Sequence, residues 1–382
     1  MVVMTASFPR AEVVIDLSAI RHNVALLASR APSAQTMAVV KADGYGHGAL
    51  EVARAAVEGG ATWLGTCSLG EALALRRAGI GVRLFSWLDT PETDFAPAVA
   101  EDIDVAVSSL DELARVADGA RRARDFSGLN AICRVHLKID TGLSRNGCPP
   151  AEWPALVKAA AAAKPLIEVV AIWSHLACAD EPGHPSIDAQ AKRFDEAYDI
   201  ARAAGLNPMR HIANSAAVLT RPDLHFDLVR PGIAIYGLNP VPTEDDLRPA
   251  MTFKSSVVLT KRIPAGESVS YGHSWTAERD TTLALVPVGY ADGVPRSLSG
   301  RMDVWLAGKR RPVVGRVCMD QLIVDCGDEE PAVGSEVILF GQGTFSEPTA
   351  REWADKLGTI DYEIVTSMYR PRVHRTYLEA GS

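Results

Sequence analysis

Lys41 closes a short, mostly apolar, β-prone run over residues 35–40, and three glycines follow within five residues, at positions 44, 46 and 48. A lysine at the carboxyl end of a buried strand stands where α/β proteins place their chemistry. Desolvation can lower its pKa there, and its amine can form a Schiff base with a carbonyl. The plain alternative is a solvated lysine opening a turn. Against it stands the company of Asp43, Tyr45 and His47 between the glycines. Glycines let backbone approach a ligand closely, and Tyr45, four residues on, can return its hydroxyl to that ligand.

More reactive residues recur at the ends of later apolar runs. VHLKIDTGLSRNG places Lys138 inside a strand and Arg145 in the loop after it. WSHLA puts His175 at a strand tip, and HIANSAA puts Asn214 and Ser215 where a helix begins. LVRPGIAIYG sets Arg230 before the exposed amides of Gly232 and Ile233. Singly, each has a structural use: an ion pair, a carbonyl ligand, a core histidine, a helix cap. Jointly, they gather at consecutive strand ends. Free amides in loops that open helices suit a phosphate group.

The elements that must position these residues are legible from periodicity. Strand candidates fall near residues 35–41, 62–66, 82–87, 103–107, 131–139, 166–174, 210–213 and 226–229. Amphipathic, alanine-rich helical runs lie between most of them, at 49–58, 69–78, 109–118, 151–163 and 186–204. Eight strands alternating with helices predict an α/β fold of the (β/α)8, TIM-like barrel type. No GxGxxG follows the first strand, as an open dinucleotide-binding sheet would require. After Gly237 the proline- and charge-rich LNPVPTEDDLRP reads as a linker. Strand-like runs then recur at 251–263, 282–288, 302–306, 311–317, 321–325 and 335–340, with one helical run at 349–357. The expected division is a barrel over 12–238 and a mainly β C-terminal domain over 239–382, with residues 1–11 packing on the latter.

Composition bounds the function. The chain has 382 residues, 47% hydrophobic and 23% charged, which suits a globular enzyme with a sizeable core. A net charge of −8 without a long basic run argues against nucleic acid or an anionic membrane as main partner. The six cysteines are scattered without a CxxC, as free thiols in a reducing compartment. No run reaches transmembrane length, so a cytoplasmic location is expected. No ligand spacing for a metal is evident.

VVKADGYGHG resembles the pyridoxal 5'-phosphate lysine motif of alanine racemases, and similar matches extend over roughly residues 11–377. The C-terminal third carries SVSYGHSW with Tyr271, VGYADG with Tyr290, and GRVCMDQ with Arg316, Met319 and Asp320. The resemblance implies a pyridoxal-phosphate-dependent isomerase that interconverts L- and D-alanine by a two-base mechanism, Lys41 and Tyr271, supplying D-alanine for peptidoglycan. It implies that Tyr45, Asn214, Ser215, Gly232, Ile233 and Tyr369 serve the cofactor phosphate. Arg230 would face the pyridine nitrogen and Arg145 the ring hydroxyl and substrate. Tyr290, Met319 and Asp320 would contact the substrate or line its corridor. Lys138 matches a lysine that the family often carbamylates, and His175 and Arg230 would supply cations near the second base. The family often has a tyrosine directly before the first arginine of its C-terminal YRVPR run. SMYRPRVHR has Pro371 there, and Tyr369 lies upstream. A head-to-tail homodimer with shared sites is further implied. Rival readings are a broader-specificity racemase, a barrel-fold amino acid decarboxylase and a non-catalytic cofactor carrier. The decarboxylase lacks support from a glycine-rich phosphate motif, and a carrier would lack the β domain.

Overall fold

A computed structural model describes residues 9–127 and 132–379. It resolves two compact units. One comprises residues 19–44 and 48–248, and the other holds residues up to 18, 45–47 and from 249 on.

The first unit is a parallel barrel. Its strands are β2 (Gln35–Val39), β3 (Trp63–Thr66), β4 (Arg83–Ser86), β5 (Ile103–Val107), β6 (Cys133–Lys138), β7 (Ile167–Trp173), β8 (Met209–His211) and β9 (Leu228–Val229). They pair in sequence order, and β9 returns to β2 through Gln35 opposite Leu228. The ring closes between β8 and β9, where Asp227 N–H donates to the Arg210 carbonyl at 3.2 Å and Arg230 N–H to the Ala213 carbonyl at 2.9 Å. The strands are short and almost wholly buried because helices cover one face and the barrel interior takes the other. The expected helices all form, as Ala49–Glu58, Leu69–Arg77, Leu110–Ser127, Trp153–Ala162 and Pro185–Ala203. Ser68 begins the second with a full capping box, its hydroxyl accepting from Glu71 N–H. Residue 131, the start of the fifth expected strand, lies outside the described residues.

The barrel interior is aromatic and polar rather than aliphatic. Met37, Trp63, Phe85, Ala106, Trp173 and Leu228 form one cluster. His136 stacks on Phe85 at 4.1 Å, and His211 on Trp173 at 5.7 Å. Gly65 makes room for this: a Cβ there would lie 2.8 Å from the Trp87 ring. The linker is fastened to the first helix (Leu17–Arg30) by buried Asn23, whose side chain donates to the carbonyls of Ile235 and Arg248 and accepts from Arg248 N–H.

The second unit is built on a nine-stranded sheet that starts with β1 (Glu12–Asp16). It continues with β10 (Met251–Ser256), β11 (Leu259–Ile263), β14 (Thr281–Val286), β15 (Asp303–Leu306), β16 (Lys309–Val314), β17 (Leu322–Gly327), β18 (Glu336–Phe340) and β19 (His374–Leu378). A separate ribbon joins β12 (Ser268–Val269) to β13 (Trp275–Thr276). β1 runs antiparallel to β10 and parallel to β19, so residues 12–16 share their sheet with the C-terminal strands. The single long run expected at 251–263 breaks at Val257–Val258, because β10 pairs with β1 and β18 while β11 pairs with β14. The helix Asp361–Thr366 and β19 carried too little apolar pattern to be anticipated.

Candidate active site

The Lys41 loop is left-handed. Ala42, Asp43 and Gly44 sit at φ/ψ of 53/50°, 52/47° and 61/45°, and Tyr45 has φ of 51°. Each non-glycine residue held there costs on the order of 1–2 kcal/mol. Hydrogen bonds hold the turn: Gly44 N–H to the Val40 carbonyl at 2.9 Å and Gly48 N–H to the Asp43 carbonyl at 2.8 Å. The Asp43 carboxylate accepts from Ala49 N–H at 2.9 Å. Glu71, which the sequence reading passed over, accepts from Ala42 N–H on one oxygen and from Cys67 and Ser68 N–H on the other. Glycine is favoured at 44, where φ is positive and a Cβ would approach the Ala49 backbone to 3.3 Å. Lys41 thus leaves β2 half-buried at the start of a strained turn, a common signature of functional loops. Tyr45 belongs by its contacts to the second unit, its ring 6.1 Å from that of Tyr362.

The remaining barrel residues converge. Arg230, fully enclosed, donates to His211 Nδ1 at 3.0 Å and to the Ser174 carbonyl at 2.8 Å, and lies 3.3 Å from His175 Nδ1. Its guanidinium is 5.0 Å from the Trp173 ring, and the Lys138 ammonium is 4.3 Å from the same ring. Desolvation lowers Arg230 to about 9, which still leaves it charged at pH 7. Lys138 falls to about 8 through burial and then the charges of Arg230 and Arg145. His175 falls to about 3 through burial, then Arg230, Arg145, Lys138 and Lys41. His175 is therefore neutral, and of the two cations expected here only Arg230 carries charge. Several basic groups depress one another's proton affinity in one place, an arrangement that an anionic ligand would relieve.

The loops after β8 and β9 are tied together by Ser215. Its hydroxyl accepts from Gly232 N–H at 2.8 Å and Ala234 N–H at 3.2 Å, leaving its own proton to donate. Gly232 and Ile233 are buried, and the Gly232 amide is engaged rather than exposed. Asn214 caps the helix Ser215–Thr220 by accepting from Ala217 N–H. Tyr236 donates to the Val39 carbonyl at 2.9 Å, linking this region to the end of β2. A serine hydroxyl at joined loops, a strand-end lysine and a buried arginine fit the phosphate, aldehyde and ring nitrogen of pyridoxal phosphate.

The second unit gathers the other residues. Tyr271 stands on the turn between β12 and β13, 70% exposed, after Ser270 at φ of 66°. The Ser270 hydroxyl donates to the Arg316 carbonyl at 2.9 Å, which fixes the turn on the loop after β16. Tyr290 N–H donates to the Cys318 carbonyl and Ala291 N–H to the Met319 carbonyl, both at 3.0 Å, so Tyr290, Met319 and Asp320 form one exposed group. Arg372 ties Asp320 at 2.6 Å to buried Asp292 at 3.5 Å. Neither Arg372 nor Asp292 was legible as part of this group. Tyr369 is exposed, with the Arg375 guanidinium 5.9 Å from its ring. All six cysteines are free, and no helix among the described residues is long and apolar enough to cross a membrane.

These features define a class: a (β/α)8 barrel with a lysine-centred, cation-rich site, carrying a mainly β domain. The alanine racemase N-terminal domain profile matches residues 15–240, and the C-terminal domain profile residues 250–377. This chain belongs to the alanine racemase family. It is 54% identical over 373 residues to the alanine racemase of Frankia casuarinae, covering 96% of this chain and 95% of that protein. The crystal structure of alanine racemase from Streptomyces lavendulae superimposes with a TM-score of 0.93 at 49% identity, covering 98% of each chain. The Bartonella henselae enzyme, solved with covalently bound pyridoxal phosphate, gives 0.86 at 29% identity over 96% of this chain and 99% of that one.

Proposed function

We propose that this protein is an alanine racemase that holds pyridoxal 5'-phosphate on Lys41 and supplies D-alanine for peptidoglycan. The observation that carries the reading is Lys41 on its strained strand-end turn in a barrel whose other strand ends present Arg230, Lys138, His175 and the Ser215 loops. When bound, the cofactor withdraws electron density from the substrate Cα and makes its proton removable. Lys41 serves one face of that carbon, and the partner subunit's Tyr271 the other. Ser215 and Asn214, with Gly232, Ile233, Tyr45 and Tyr369, bind the phosphate. Arg230, a donor without a lone pair, faces the ring nitrogen and leaves that nitrogen an acceptor. Arg145 binds the ring hydroxyl and the substrate. Tyr290, Met319 and Asp320 shape the corridor and bind the substrate.

The purified protein with added pyridoxal phosphate should convert L-alanine to an equal mixture with D-alanine. No D-alanine at any enzyme concentration overturns the reading.

The shared site has its own test. Lys41→Ala and Tyr271→Phe proteins, each inactive alone, should regain part of the activity when mixed, because one hybrid site in the dimer is intact. No recovery despite verified subunit exchange would refute it.

Lys138 is proposed to be carbamylated. Burial brings its amine to about 8, so roughly a tenth is neutral at pH 7. That nitrogen can attack carbon dioxide, forming an N–C bond and releasing a proton. The carboxylate produced would face Arg145. Protein prepared in 13C-bicarbonate should show one carbamate carbon resonance that Lys138→Gln lacks; an unlabelled wild type would exclude the modification.

A further inference from the structure

A chain of four buried polar side chains runs through the barrel and has no part in the mechanism above except at one end. Asp104 on β5 lies 3.0 Å from His136 Nε2 on β6; His136 Nδ1 lies 2.9 Å from His211 Nε2 on β8; His211 Nδ1 lies 3.0 Å from Arg230. Asp104, His136 and His211 have no solvent exposure, and Arg230 has almost none. We propose that Asp104, three hydrogen bonds from Arg230, is a positioning residue that fixes the direction of this chain and so holds the guanidinium in the orientation that meets the cofactor ring.

The argument is one of donors and acceptors. A carboxylate has no proton to give, and a guanidinium has no lone pair to accept with. Between these fixed ends, three hydrogen bonds form only if each imidazole is neutral and carries its proton on Nε2. Then Arg230 donates to His211, His211 to His136, and His136 to Asp104. A cationic ring at either position, or the other tautomer, turns a donor against the guanidinium. The electrostatics agree with this geometry. Burial would raise the Asp104 carboxyl, but the hydrogen bond from His136 and the guanidinium charges of Arg134 and Arg83 hold it below its ordinary value. Burial keeps His136 lowered, against the pull of Asp104 and helped by Arg83 and Arg134. His211 is pushed well down by burial and then by the charge of Arg230.

Asp104 is also locked in place. Arg83 contacts one oxygen at 2.6 Å and Arg134 the other at 2.7 Å. Arg83 itself packs over Trp63 at 4.0 Å. An anchored anion at the end of a polarised chain is worth more than a neutral acceptor, because a hydrogen bond strengthens its neighbours in low dielectric. The chain therefore ends on an anion rather than on a neutral acceptor, and among the described residues no carboxylate is paired with Arg230 directly.

The proposal rests on Arg230 facing the cofactor, as read above, so its test has an arm that needs no cofactor. Imidazole nitrogen spectra of the wild-type protein without pyridoxal phosphate should show both His136 and His211 neutral and protonated on Nε2. A cation or an Nδ1–H tautomer at either ring overturns the chain. The second arm measures pyridoxal phosphate affinity in Asp104→Leu, His136→Phe and the double variant. Each single variant should bind about tenfold more weakly, the worth of one charge-assisted hydrogen bond. The double variant should be no weaker than either, because both cut one chain. Multiplying losses, or unchanged affinity in His136→Phe, would show that Asp104 acts only through Arg83 and Arg134. If no form binds cofactor, the function reading fails while the imidazole spectra still decide the chain.

Discussion

Lys41→Ala protein is expected to lose racemisation by on the order of 10⁴-fold or more, because the proposed function gives one side chain the work of both cofactor tether and proton-transfer group. The turn itself should survive. Its hydrogen bonds run through the backbone of Val40, Gly44 and Gly48 and through Asp43 and Glu71, none of which needs the lysine side chain. Circular dichroism and thermal melting should therefore match the wild type while activity is lost. Borohydride reduction of the wild type followed by peptide mapping should place a pyridoxyl group on Lys41. A label on a different lysine, Lys138 in particular, would move the tether and defeat the assignment. Adding methylamine should restore a measurable part of the turnover, since a free amine can replace the missing base but not its positioning.

Tyr271→Phe is the second large effect, on the order of 10²- to 10⁴-fold in racemisation, the usual worth of a positioned acid–base group. Its Cα positions and sheet pairing should not change. The tyrosine ring is 70% exposed, and the turn is fastened through the Ser270 hydroxyl rather than the phenol. Cofactor affinity should hold as well, because the phenol is no tether. The measurement that isolates its role is Cα–H exchange in heavy water, followed separately from each enantiomer. The α-hydrogen of alanine points to opposite faces of the cofactor in its two forms. By family resemblance Lys41 attends D-alanine and Tyr271 attends L-alanine. The variant should keep washing deuterium into D-alanine while L-alanine loses exchange. Equal loss from both enantiomers, or loss from neither, would exclude a one-face base at Tyr271.

The barrel was legible because most of its strands are short, apolar and bounded by a helix-period run, which leaves one assignment open. The placement of the candidate residues at strand ends was legible for the same reason: Lys41, His175 and Arg230 interrupt apolar runs where the chain must leave the barrel. The polar interior was less so. His136 and Lys138 stand two residues apart on β6 and so share a face. Only Lys138 stood out, because a histidine in an apolar strand is usually a satisfied core residue. Its partners, Asp104 and His211, come from strands that are distant in sequence, and hydrogen-bond partners across a barrel leave no local pattern. The same limit applies to Glu71 and to the clamp of Asp292 by Arg10 and Arg372. The neutrality of His175 was hidden for a different reason: it depends on how many cations share one small volume.

The left-handed turn after Lys41 also sets the smallest piece of this site that is portable. A protein engineer moving VVKADGYGHG into another barrel would carry three non-glycine residues in a conformation their own side chains oppose. The restraint that holds Ala42 lies thirty positions downstream, roughly, on a different βα unit, where the two oxygens of Glu71 serve three amides. Without that carboxylate, the graft would be left with only the bonds of Gly44, Gly48 and Asp43 to oppose that strain. The portable module is therefore two adjacent βα units, from β2 through the helix Leu69–Arg77, rather than the ten-residue motif that announces it.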